Sequence, residues 1–297
     1  MTKHPFLKPA LSIPEQLELL RHRGMHIDDV HRAEFVLRHT NYYRLAAYWL
    51  PFESDSATHK FRAATTFEDV LSLYAFDREL RLLVLDAIER IEVSLRAIWA
   101  HTLAMEHGPH AHMNVNIMKD ERRWRRFIAT TMNEVDRSTE VFIQHLLRKH
   151  SEMLPPIWAV SEVMSMGSLS KWYENIGPKH IRTAIAAEYG LNEILLESWC
   201  KHLSYVRNIC AHHGRLWNRE FMITPAKPRT RPQNIIQAFQ PSSRRVYNTF
   251  VILLYFMDRI APEYDWRNAL TELLVRCAPD LKPMGFPADW CEHKIWK

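Results

Sequence analysis

The stretch Tyr205-Val206-Arg207-Asn208-Ile209-Cys210-Ala211-His212-His213-Gly214-Arg215-Leu216-Trp217-Asn218-Arg219 holds the residue types with the most chemical reach. Asn208 and His212 are four apart, so on a helix they share a face. Arg207 precedes His212 by five, roughly 140° around at 3.6 residues per turn. Its long side chain must curl to meet the same ligand, unless two helices or two subunits compose the site. The chemistry that suits these three is RNA cleavage without a metal. The ribose 2′-hydroxyl attacks the adjacent phosphorus when a base takes its proton and an acid protonates the departing 5′-oxygen. Histidine titrates near neutrality and serves either step. Arginine stays charged and offers a fixed fork of donors to phosphate oxygens, stabilising the charge that builds on the phosphorane. Asn208 would orient His212 or the phosphate. His212 and His213 fall in the last turn of the expected helix, where the C-terminal dipole attracts a cation.

The spacing alone is a weak signal, because Arg96 and His101 repeat it and the chain has 17 histidines. The plain alternative pairs Arg207 with a carboxylate and uses His212 and His213 to cap helix carbonyls. Arg96 and His101 are candidates for a second half-site. The preferred reading makes Arg96 a solvated partner of Glu92 and puts His101 at a fraying helix end. Glu89 and Glu92 could orient Arg207, or be plain surface charge. His107, His110 and His112 surround Gly108-Pro109 with no cysteine partner, a poor zinc set. They read as surface residues, and no metal or cofactor is expected. The aromatics Tyr42, Tyr43, Tyr48, Trp49 and Phe52 could stack bases but at helical spacing read as core; Trp217, directly after the motif, is open between the two.

A path for the RNA backbone would use His213, Arg215, Arg219, Lys227, Arg229 and Arg231. Lys227 to Arg245 holds five basic residues and no acidic one, matching the whole formal net charge of +5. A positive excess suits a polyanionic partner. The alternative is a solvated basic loop.

The elements that must position these residues are helical. Only 7 glycines occur in 297 residues, and 47% of residues are hydrophobic against 25% charged, the balance of a globular chain. Ser12 with Pro14 and Glu15 starts a helix that Gly24 ends. Asp28 or Asp29 opens a second, and Tyr42 to Leu50 a third that stops at Pro51. Ser54 to Ala64 reads as loop. From about Thr66 to Met105, Leu73, Phe76, Leu80, Val84, Ala87, Ile91, Leu95 and Ile98 form one stripe on a long helix, with Arg78, Arg81, Glu89, Arg90 and Glu92 largely outside it. Further helices are expected over Glu121–His150, over Ile157–Tyr173 with an interruption at Gly167, and over Pro178–Tyr189. Asn192 caps the helix that ends at Gly214. Arg215 to Ser242, with four prolines, reads as a loop or arm. Ser243–Ile260 and Trp266–Cys277 close the fold. Val246 to Met257 is far shorter than the ~20 residues that span a bilayer, so it is a core helix. Four cysteines without a C-x-x-C pair, and an N-terminus without a signal peptide's apolar core, point to reduced thiols in a cytoplasmic protein with no membrane partner.

Three separated regions resemble the Abi-like (AbiD/AbiF) abortive-infection family. They are QLELLRHRGMHIDD (Gln16 to Asp29); YYRLAAYWLPF (Tyr42 to Phe52) with FDRELRLLVLDAIERIEVSLR (Phe76 to Arg96); and VRNICAHHGRLWNR (Val206 to Arg219). Their order and spacing agree too, so the resemblance covers roughly residues 10 to 260. That family is placed in the HEPN superfamily of helical proteins, often RNases of phage defence, toxin–antitoxin and CRISPR systems. Its motif is an arginine, usually a polar residue, then a histidine after four to six intervening positions. Arg207, Asn208 and His212 stand in those places. The resemblance implies an all-α fold: an N-terminal helical region over 1–65, then a HEPN-like helical bundle over 66–297 with C-terminal helices and a basic loop at about 215–242. It implies a metal-independent endoribonuclease, an RNA substrate, a homodimer in which two motifs face one phosphate, and restraint by an RNA or protein antitoxin. Two other readings stay open: a non-catalytic RNA-binding module, and a phage-sensing interaction protein.

Overall fold

The computed structural model describes residue 5 and residues 9–55, 57–277 and 280–297. Thirteen α-helices, six short 3-10 turns and one small hairpin account for the regular structure among them. In chain order the helices are α1 (Ile13–His22), α2 (Val30–His39), α3 (Tyr42–Trp49), α4 (Phe67–His107), α5 (Glu121–Asp136), α6 (Val141–Lys149), α7 (Ile157–Val163), α8 (Met166–Glu174), α9 (Lys179–Ala187), α10 (Glu193–Ala211), α11 (Gln233–Ala238), α12 (Tyr247–Ile260) and α13 (Trp266–Cys277). The all-α expectation holds. The chain divides into two compact units, residues 1–79 with 273–279, and residues 80–272 with 280–297. The division falls inside α4, between Glu79 and Leu80.

In the first unit the starts of α1 and α2 are those the sequence announces, while the Asn41 cap of α3 was not anticipated. Ser12 and Glu15 form a reciprocal capping box on α1, and Asp29 and Asn41 cap α2 and α3. Leu17, Leu20, Leu37, Leu45, Tyr48 and Trp49 build its core. The Tyr48 hydroxyl donates to the buried Asp77 carboxylate at 2.7 Å. Tyr48 and Trp49 are thus core, as expected, whereas Tyr43 is 75% exposed. The stretch read as loop carries an antiparallel hairpin, β1 (Glu53–Asp55) with β2 (Lys60–Phe61). Strands of three and two residues are too short to leave an alternating pattern.

In the second unit, α4 buries Leu80, Val84, Ala87, Ile91 and Leu95 along the expected stripe and continues through Trp99 and Leu103. Arg81 and Glu92 are also buried, against the expectation that they lie outside. All residues of α12 from Tyr247 to Met257 are buried, so this helix is enclosed around its whole circumference, and its two polar residues there, Asn248 and Thr249, are hydrogen-bonded.

Two expected helices are broken. The first stops at Asp136 and resumes at Val141 because Ser138 supplies competing bonds: its hydroxyl accepts from Glu140 N and its carbonyl from Gln144 Nε2. The second breaks at Met164–Ser165, ahead of Gly167, where Ser165 caps α8. The four cysteines are free thiols. Among the described residues no helix is long and apolar enough to cross a membrane.

Candidate active site

The element that carries the motif is α10. Asn192 caps its start, accepting from Ile194 N and Leu195 N. Leu195, Leu196, Trp199, Leu203, Val206 and Ile209 are buried on it, and it packs against α8 and α9. Two polar groups on this helix tie down the chain that follows the motif. Trp199 Nε1 donates to the Ala226 carbonyl at 2.9 Å. His202 lies 2.7 Å from the Ile223 carbonyl through Nδ1 and 2.8 Å from Thr249 Oγ1 through Nε2. A neutral ring satisfies both, donating at Nδ1 and accepting at Nε2. Burial pushes the His202 pKa down to about 4, against the weaker opposing pull of the Ile223 carbonyl.

α10 ends in a Schellman turn. Gly214 N donates to the Ile209 carbonyl at 2.7 Å and His213 N to the Cys210 carbonyl at 2.9 Å. The left-handed residue is His213, at φ +58, rather than the glycine expected to stop the helix. Gly214 is needed for space: a Cβ there would sit 3.0 Å from Ile209 Cγ2 and 3.1 Å from the Ile209 carbonyl oxygen. Beyond it Leu216 and Trp217 are buried, and Trp217 Nε1 donates to the Asp280 carbonyl at 3.3 Å. Trp217 is therefore core.

Asn208 and His212 are exposed on one face of this helix end, and Arg207 is half-buried. Among the described residues, none of these three side chains has a hydrogen-bond or ion-pair partner. The bland pairing of Arg207 with a carboxylate is thus absent there. Arg207 stands roughly 140° from His212 around the helix. Asn208 lines a groove of about 760 Å³ between α5, α8 and α10, of which Arg207 and His212 are not lining residues.

The residues expected along an RNA path are only partly brought together. His213 is exposed, Arg215 and Arg219 are half-buried, and Arg219 Nη1 donates to the Arg215 carbonyl at 3.5 Å. Lys227, Arg229 and Arg231 are exposed without a side-chain partner among the described residues. The other two cations of that run are engaged. Arg245 bridges Asn218 and Glu220 at 3.0 and 3.1 Å, and Arg244 Nε donates to the Phe221 carbonyl at 3.0 Å. The expected loop or arm is pinned at both ends and contains α11, whose Ile235 and Ala238 are buried.

Arg96 lies within α4, its Nη2 donating to Glu92 Oε1 at 2.5 Å and to the Met164 carbonyl at 2.6 Å. Glu92 is committed to that bond, and Glu89 is exposed. His101 is exposed but does not sit at a helix end, since α4 continues to His107. Of the three histidines read as surface residues, His112 is fully buried, and burial followed by the nearby His110 charge brings its pKa down to about 4. Among the described residues no group of three or more His, Cys, Asp or Glu is placed to hold a metal ion.

Sequence reasoning missed the cations of the α5/α8/α10 groove, Arg126, Lys171 and Lys201. A signal for one existed in the four arginines flanking Trp124, Arg122-Arg123-Trp124-Arg125-Arg126.

A helical body that ends one helix in a solvent-reaching Arg-Asn-His set without side-chain partners among the described residues is the class these observations define. The chain belongs to the Abi-like protein family, whose sequence model matches residues 35–218. The matched region takes in α3, the whole of α4 and the motif, and leaves Gln16 to Asp29 outside. Membership suggests a part in phage defence. No curated protein and no solved structure matches the chain.

Proposed function

We propose that the protein is a phage-defence endoribonuclease that cleaves RNA by 2′-hydroxyl attack without a metal. The observation that carries the reading is the trio of half-buried Arg207 and exposed Asn208 and His212 at the end of α10, without a side-chain partner among the described residues, in a chain of the Abi-like family. The 2′-oxygen bonds to phosphorus as the bond from phosphorus to the 5′-oxygen breaks. An imidazole takes the 2′-hydroxyl proton, and an imidazolium returns a proton to the 5′-oxygen. One chain offers one such histidine in the motif, and its arginine projects from another side of the helix. Two copies facing one phosphate would supply His212 as both base and acid, with Arg207 from either copy on the phosphate oxygens. A homodimer is therefore the active species, and an RNA or protein inhibitor would hold it in check.

The test is cleavage of total RNA by wild type and His212→Ala in EDTA, with mapping of the new ends. Wild type yields 2′,3′-cyclic phosphate ends and the variant does not. Equal cleavage by both, or activity that needs a divalent cation, overturns the mechanism. RNA binding without cleavage by wild type would make the protein an RNA-binding module instead.

A further inference from the structure

We propose that the groove between α5, α8 and α10 is a second substrate contact, a seat for the phosphodiester backbone of single-stranded RNA on its way to Asn208. The inference rests on the endoribonuclease reading for the identity of the polyanion, and on the groove's own chemistry for its existence.

The lining holds four cations, Arg123, Arg126, Lys171 and Lys201, and one acid, Glu174. Arg123 and Glu174 neutralise each other through contacts of 2.7 and 3.0 Å. Arg126, Lys171 and Lys201 are exposed and have no side-chain hydrogen bond or ion pair among the described residues. Three cations without a direct ion pair among the described residues, from three helices, face one groove of about 760 Å³, with Glu174 the one acid in its lining. Four like charges gathered around one acid repel one another, and an anion in the groove relieves that. Ser170 and Ser204 line it too, adding hydroxyl donors suited to phosphate oxygens. Gly167 keeps the wall low: a Cβ there would approach Ser204 Oγ to 3.3 Å.

Direction comes from α10. Lys201, Ser204, Tyr205 and Asn208 recur at steps of three and four along the groove face, and His212 continues that row past the groove's end. From Lys201 to His212 is about 16 Å at 1.5 Å per residue, so a chain of phosphates held by the lysine leads onto the motif. A regular polyanion fits a row of separated point charges and hydroxyls.

The experiment uses the full chain and a fluorescent 2′-O-methyl single-stranded RNA 12-mer, which 2′-hydroxyl chemistry cannot cleave. Binding is read by anisotropy for wild type, Arg126→Glu, Lys171→Glu and, as a charge-matched control, Lys149→Glu on α6, which lies outside the groove lining. Circular dichroism melts confirm that each variant folds. The groove variants should lose at least about tenfold in affinity and flatten the dependence on log salt by about 0.7 per lost contact, with Lys149→Glu within twofold of wild type. The proposal is overturned if the groove variants bind like wild type, if Lys149→Glu loses as much, or if polyglutamate displaces the RNA at equal charge concentration. Cleavage of natural RNA by wild type is scored separately. Groove-dependent binding with no cleavage leaves the groove standing and removes the nuclease; cleavage at limiting RNA unaffected by Lys171→Glu does the reverse.

Discussion

Arg96 with His101 and Arg207 with His212 share one spacing, five residues, on two helices of the same unit; both histidines are exposed, and the surroundings differ at the arginines. The first arginine is closed off by Glu92 and the Met164 carbonyl, with 17% of its side chain exposed. The second has no partner among the described residues, and its histidine stands at the C-cap of α10. A guanidinium already holding a carboxylate has little left for a phosphate. The spacing therefore marks where to look, and the free donors decide which pair can act.

Four measurements put that contrast to the test. The largest effect should come from the histidines: His212→Ala lowers RNA cleavage by about 10²–10⁴, the range of general acid–base catalysis, while His101→Ala stays within about twofold of wild type on the same total-RNA assay. Comparable losses from both would erase the distinction. The arginines should divide by property. Arg96→Ala strands the buried Glu92 carboxylate and costs about 3 kcal/mol in urea unfolding. Arg207→Ala costs under about 0.5 kcal/mol of stability and lowers cleavage by about 10²–10³.

A third test sets exposed His212 against His202 on the same helix and against His112. Both buried rings have pKa values brought down to about 4 from the ordinary 6.5. The unfolded chain then binds more protons than the folded one between those values, so their stabilisation is complete above pH 6.5 and drains away as pH falls toward 4. Moving from pH 7.5 to 5 should remove about 2 kcal/mol per ring from the unfolding free energy, and His202→Gln should flatten that slope. A slope unchanged by the substitution would remove His202 from the acid response. The smallest effect belongs to Gly214→Ala. Its methyl group would crowd Ile209 and cost about 1 kcal/mol, seen as a melting midpoint lower by a few degrees.

Much of this architecture was legible from local signals. The capping box at Ser12, the Asn192 cap, the stripe on α4 and the bounds of α13 all follow from interactions a few residues apart. The motif residues were legible for the same reason, since a helix face is a local property. The groove was not: Arg126, Lys171 and Lys201 come from three helices, and only packing of α8 against α5 and α10 gathers them. Within the basic run, the engagement of Arg244 and Arg245 by the Phe221 carbonyl, Asn218 and Glu220 was not legible either, because those partners lie more than twenty positions away. His112 looked like loop surface because nothing near it in the chain announces that Trp124 would donate to its carbonyl from α5 and help enclose it.

The bond from Trp217 to the Asp280 carbonyl joins the stretch just past the motif to a tail more than sixty positions downstream. In that tail Phe286, Trp290 and Trp296 pile their rings against one another and against Tyr247 and Phe250 of α12. The tail acts as a clasp on the strap that leaves α10. A fragment trimmed to residues 35–218 would keep each motif side chain and lose this fastening of the stretch that follows them, so the boundary of kinship cuts through a packed unit.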